Sequence, residues 1–143
     1  MNILRAALPV IVALALTACG GSGNGGLFGG TTLCQPGTVQ LARPAPGQFN
    51  SNVNSVEVVA SGNNDNIHSN PGAWSAYVQG NGGTQLFGGP LNPVSDTSGP
   101  HPFTSDFYYQ SQLQQTLPSG QNWTVFLTEN TGCGAIAVGN FST

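Results

Sequence analysis

Two histidines, His68 and His101, fall with Asp65 and Asp96 in two polar stretches, Ser61 to Ala73 and Gly88 to Pro102. Imidazole and carboxylate hold zinc, so a two-histidine, carboxylate metal site would form if both stretches met at one end of the fold. Neither histidine has a partner at ligand spacing, so solvated loop side chains are the simpler reading. Ser61-Gly62-Asn63-Asn64-Asp65-Asn66 is dense in oxygen ligands for calcium, but it lacks the Asp-x-Asp-x-Asp-Gly pattern and supplies one carboxylate. An Asn-Gly-rich turn explains it with less. Hydrolytic chemistry finds little support. There is no Gly-x-Ser-x-Gly elbow, and the five acids (Glu57, Asp65, Asp96, Asp106 and Glu129) are too scattered for a facing pair of glycosidase carboxylates. Cys-x-x-Cys is also absent. The expectation is a protein that is not an enzyme and carries no cofactor. A metal-binding or hydrolytic role for the loops bearing His68 and His101 is the alternative. Tyr77 and Tyr108 offer a different chemistry. Both fall in the polar phase of their segments, where exposed rings could stack on sugars or on a protein partner. Their competing reading is that they cover flanking side chains on a wet sheet face.

These groups follow an N-terminal leader. Met1 to Arg5 carries positive charge, Ala6 to Ala15 is almost wholly apolar, and small residues precede Cys19. The segment is too short for a permanent span and reads as a secretory signal. Its ending, Leu16-Thr17-Ala18-Cys19, resembles the lipobox of bacterial lipoproteins. The resemblance implies removal of residues 1–18, a diacylglyceryl group on Cys19 and acylation of the new amino terminus. Each buried methylene contributes roughly 0.8 kcal/mol, so several acyl chains hold stably where one anchors only marginally. The expected location is the cell envelope, lipid-anchored, with Gly20 after the cysteine leaning towards the outer membrane of a double-membraned host.

Charge is sparse. Lysine is absent, and beyond the leader Arg43 is the sole strong base against five acids. One arginine cannot neutralise a phosphate backbone, which argues against nucleic acid. An unknown envelope protein or glycan, besides the bilayer itself, is the expected partner. With Cys19 lipidated, Cys34 and Cys133 remain as an even pair in an oxidising compartment. A disulfide between them would close a loop of about 100 residues and stabilise by up to ~4.7 kcal/mol in the chain-entropy model.

Gly20 to Gly30 reads as a flexible tether, so residues 19–32 link the lipid to a folded domain over 33–143. Short alternating segments follow, separated by Gly, Pro and Asn. Strands are expected at Thr38 to Arg43, Val53 to Ala60, Trp74 to Gln79, Thr84 to Phe87, Phe107 to Leu113, Trp123 to Thr128 and Ala135 to Phe141. Trp74, Ala76 and Val78 alternate with Ser75, Tyr77 and Gln79, and Trp123, Val125 and Leu127 alternate with Thr124, Phe126 and Thr128. Seven such strands predict an all-β, antiparallel sandwich.

Leu117-Pro118-Ser119-Gly120-Gln121-Asn122-Trp123-Thr124-Val125 resembles the Leu-x-Pro-Gly-Thr-x-Tyr-x-Val corner of fibronectin type III and bacterial Ig-like domains. The proline sits one place early and tryptophan replaces tyrosine, so the phenolic corner hydrogen bond has no donor here. Val138-Gly139-Asn140-Phe141-Ser142-Thr143 is similar to the Gly-x-Phe-Thr-Thr finish of such domains, and Pro44-Ala45-Pro46-Gly47 to their Pro-x-x-Gly opening. The resemblance implies an Ig-like or fibronectin-like β-sandwich with Leu117 plugging the core. In a seven-strand antiparallel sandwich the chain reverses at every strand, which puts the segment before the first strand and the last turn at one end and favours Cys34–Cys133 pairing.

Overall fold

Alternation of apolar and polar residues puts one side of each strand against a common interior, and two antiparallel sheets result. A computed structural model describes residues 38–96, 98–129 and 134–143. Cys19, Cys34, Cys133, the leader and the tether lie outside these described residues. The first sheet holds β1 (Val39–Arg43), β2 (Ser55–Ser61), β6 (Asp106–Gln112) and β5 (Asn92–Val94), in the order β1-β2-β6-β5. The second holds β4 (Gln85–Pro90), β3 (Trp74–Gly80), β7 (Asn122–Glu129) and β8 (Ile136–Ser142), in the order β4-β3-β7-β8. Every named pair is antiparallel.

The chain is therefore an all-β antiparallel sandwich, as its alternation predicts, with eight strands rather than seven. The additional strand, β5, lies inside the stretch Gly88 to Pro102 that reads as a loop. Its three residues carry no alternation long enough to register, and Pro93 sits within it. Proline is tolerated there because β5 is an edge, where its missing N–H leaves no ladder bond unmade. The stretch Ser61 to Ala73 also has structure. Asn64 caps α1 (Asp65–Ser69) by accepting the Ile67 N–H at 3.2 Å, and Ile67 plugs the interior. The amide of Asn64 also donates to Thr38 Oγ1 at 3.0 Å. Asn64 thus builds a helix start.

The interior is filled from the inward phases of both sheets: Val56, Val58, Trp74, Val78, Trp123, Val125, Leu127 and Phe141 are all buried. At Gly88 the chain passes close to both sheets, and it crosses from β4 to β5 just beyond Leu91. A Cβ on Gly88 would meet Ala76 O at 3.1 Å, Gln112 O at 3.2 Å and the Ser111 hydroxyl still closer, so no side chain fits. Ser111 seals this point by donating to Gly89 O at 2.7 Å. At the opposite edge, residues 47–50 run beside β8. Gly47 N–H donates to Asn140 O at 2.9 Å, Asn50 N–H to Ser142 O at 2.8 Å, and Ser142 N–H to Gln48 O at 3.0 Å.

The turn before β7 is tied to Thr143 through an indole donor. The Trp123 indole donates to Thr143 Oγ1 at 3.1 Å, and that hydroxyl donates onward to Pro118 O at 2.6 Å. Leu117, 5% exposed, lies in the interior beneath it. Truncation to Leu117→Ala should cost about 2–5 kcal/mol, the range for large-to-small core changes. Urea unfolding followed by tryptophan fluorescence measures it, and a loss below ~1 kcal/mol would show that Leu117 does not hold the corner.

Candidate functional site

Each sheet has one face turned away from the shared interior, and the two outer faces differ in kind. On the first sheet, residues 95–96 and 98–105 fold back over the strands. Ala42, Val59 and Tyr108 are buried there, with Val94 and Phe103 packed against them. Glu57 shares this face and is 7% exposed. Arg43 anchors the covering segment: its Nε donates to Asp96 Oδ2 at 2.8 Å, and Nη2 donates to Asp96 Oδ1 at 3.3 Å and Ser98 Oγ at 2.7 Å. Glu57 Oε1 lies 3.9 Å from Arg43 Nε and has no hydrogen-bond partner.

The two carboxyls in this cluster diverge. Burial first, then the neighbouring Asp96 carboxylate, raises Glu57 to about 7, with Arg43 acting the other way. The Arg43 guanidinium and the Ser98 N–H hold Asp96 well below the usual carboxylate range. Glu57 is thus a proton-bearing acid in mildly acidic solution, with the Asp96 carboxylate as its charged neighbour.

The candidate residues read from sequence are not brought together. His68 bonds Tyr109 through Nδ1 and Ser61 O through Nε2, at 2.8 Å for the latter. Because the carbonyl only accepts, Nε2 carries the proton and Nδ1 accepts from the phenol. His101 Nδ1 lies 3.0 Å from Asp106 Oδ2 and 3.1 Å from Tyr108 OH. Tyr108 and Tyr109 are consecutive on β6 and project to opposite faces, so the two histidines stand on opposite sides of that strand. Among the described residues no group of three or more His, Cys, Asp or Glu is arranged to hold a metal ion. Tyr108 itself is covered, its hydroxyl donating to Pro100 O at 2.7 Å, and offers no ring to a ligand. Its polar phase is correct; the folded-back segment supplies the burial.

Tyr77 is placed differently. On the outer face of the second sheet it lies directly opposite Phe87 of β4 and Phe126 of β7. The Phe126 ring stacks on it at 5.0 Å and 10°, and the Phe87 ring tilts against it at 5.8 Å and 42°. Tyr77 is thus enclosed between two rings, while Phe87 is 51% exposed. Sequence reasoning singles out Tyr77 but not Phe87 or Phe126. The signal available was a large apolar ring in the polar phase of β7. The outward side chains Ser75, Gln79, Gln85, Thr124, Thr128, Ala137 and Asn140 complete a face with no charge. At the end of the sandwich Phe49, 73% exposed, stands beside a hollow of about 540 Å³ lined also by Arg43, Pro44 and Asn54.

No family model, no curated protein and no solved structure matches this chain.

Glu57 sets a pH dependence. Its folded value lies above the ordinary 4.5, so the folded state holds more protons between pH 4.5 and about 7. Stability should fall as pH rises through that window and level off above it, by on the order of 1–2 kcal/mol once solvent screening is allowed for. Asp96 acts in the other direction below its ordinary 3.8, where acid removes its contribution. Urea midpoints across pH 4–9 should show the Glu57 slope, and Glu57→Gln should flatten it. An unchanged slope in that variant would assign the dependence elsewhere.

Proposed function

We propose that this chain is a lipid-anchored cell-envelope protein whose folded part is an Ig-like binding module, and that the uncharged outer face of β4-β3-β7-β8 is its recognition surface. One observation carries the reading. Phe87, Tyr77 and Phe126 form a continuous aromatic row on a sheet face that the described residues leave uncovered, whereas the other sheet is capped by the segment that carries Asp96 and Phe103. Aromatic side chains supply large contact area at low entropic cost and are enriched where binding energy concentrates. Cross-strand rings also stabilise a sheet, but a structural role does not require Phe87 to stay half exposed.

The Ig-like assignment draws support from strand order. Pairing β1-β2-β6-β5 against β4-β3-β7-β8 follows the ABED and CFG sheets of such domains, with β4 as an added edge. The membrane assignment rests on Leu16-Thr17-Ala18-Cys19. Cys19→Ser should abolish incorporation of labelled fatty acid and leave uncleaved precursor. A wild-type chain that takes up no label yet stays with the membrane would overturn the lipoprotein assignment.

A Cys34–Cys133 disulfide belongs to the same proposal. Val39 opposes Ala60 and Trp74 opposes Glu129, so the start of β1 and the end of β7 meet the Ser61–Ala73 connection at one end of the sandwich. Non-reducing peptide mapping of envelope-purified protein should recover the two cysteines in one linked peptide pair. Free thiols at both positions would remove the staple.

A further inference from the structure

The outer face of the second sheet is striped, and the stripes cross the strands. Register aligns Phe87, Tyr77, Phe126 and Ala137 in one row over β4, β3, β7 and β8. Two residues along, Gln85, Gln79, Thr124 and Asn140 align in a second. Gln85 Nε2 donates to Gln79 Oε1 at 3.3 Å within it. On the other flank Ser75 opposes Thr128. An aromatic row thus lies between two rows of amides and hydroxyls, about 7 Å from each by strand geometry. Across four strands the track runs roughly 14 Å.

Resting on the binding-module reading, we propose that this track binds a linear, uncharged polysaccharide. Pyranose rings have an apolar face of C–H groups and a rim of hydroxyls. The aromatic row matches the first, and the amide and hydroxyl rows match the second. Tyr77 is enclosed by its neighbours, so the outer rings take the sugar faces. One side of Phe126 is stacked on Tyr77, and its other side is directed towards β8, where the opposing residue is the exposed Ala137. A methyl group leaves that ring surface open. Phe87 is open towards the sheet edge. These two rings are about 10 Å apart, two strand separations, which is roughly the repeat of an extended disaccharide. Tyr77 holds both rings in place and adds its hydroxyl.

Charge sets the class of glycan. Arg43, Glu57, Asp96 and Asp106 gather on the capped face of the first sheet, and the striped face carries none. An acidic polymer or a nucleic acid requires a basic lining that this track lacks. Amides and hydroxyls serve a neutral polymer without the desolvation cost of a charge.

The test uses the full chain in neutral detergent, incubated with insoluble cellulose, chitin and mannan, and with alginate and single-stranded DNA as charged comparisons. Retention on at least one neutral polymer is expected, with none on the charged pair. Phe87→Ala/Phe126→Ala should weaken that retention at least tenfold, and Gln79→Ala should weaken it several-fold, while Arg43→Gln leaves it unchanged. Unaltered melting temperature and tryptophan emission establish that the variants are folded. No retention on any neutral polymer, tighter retention on alginate, or full retention by the double variant would overturn the proposal. A photoreactive residue at position 85 in intact cells separates the two readings. A protein adduct without glycan retention overturns the polysaccharide and leaves the face as a recognition surface. Neither adduct nor retention overturns both.

Discussion

Gly88 passes so close to both sheets that a side chain cannot be accommodated, and both outer faces depend on that passage. Ala76 O of β3 and Gln112 O of β6 each lie within 3.2 Å of where its Cβ would stand. With Gly88 bridging Leu113 while β4 stays paired with β3 through Pro90, the chain is already beside the first sheet when β5 pairs with β6 from Asn92. The first pairing brings Phe87 beside Tyr77. The second sends the following segment back over Glu57, Val59 and Tyr108, with Asp96 caught by Arg43. The chain therefore leaves an open aromatic face for a capped, charged one a few residues after this close passage.

Local periodicity carried the sandwich. Trp74 and Trp123 fall on the inward phase and are 2% and 1% exposed, and Tyr77 and Phe126 fall on the outward phase. Where sequence reading stops, the cause is non-local. Glu57 has the polar phase of a solvated carboxylate between Val56 and Val58, yet a segment nearly forty residues away buries it. Tyr108 is hidden by the same segment. The aromatic row needs the register of three strands, which alternation within one strand does not specify. His68 and His101 sit on separate connections, and consecutive tyrosines of β6 direct them to opposite sides. The turn before β7 adds one more such link, where the Trp123 indole N–H reaches Thr143 twenty residues away.

The two faces also differ energetically. On the capped side, an unpartnered buried oxygen of Glu57 beside Asp96 makes protonation part of the packing. The outward side chains of the aromatic side include no carboxylate, and its packing rests on ring contacts instead.

A chain with almost no charge meets a colloidal problem that most proteins solve with lysine. Charged side chains, lysine above all, discourage sheet edges from pairing with another molecule. This sequence has no lysine. Geometry takes their place at all four edges. β1 ends in a register shift followed by Pro44, β5 is three residues long with Pro93 inside, and β4 ends at Pro90 after two glycines. β8 has its end occupied by residues 47–50 in parallel. Molecules crowded at one surface can then lie side by side without growing into a shared sheet, even where electrostatic repulsion between them is weak.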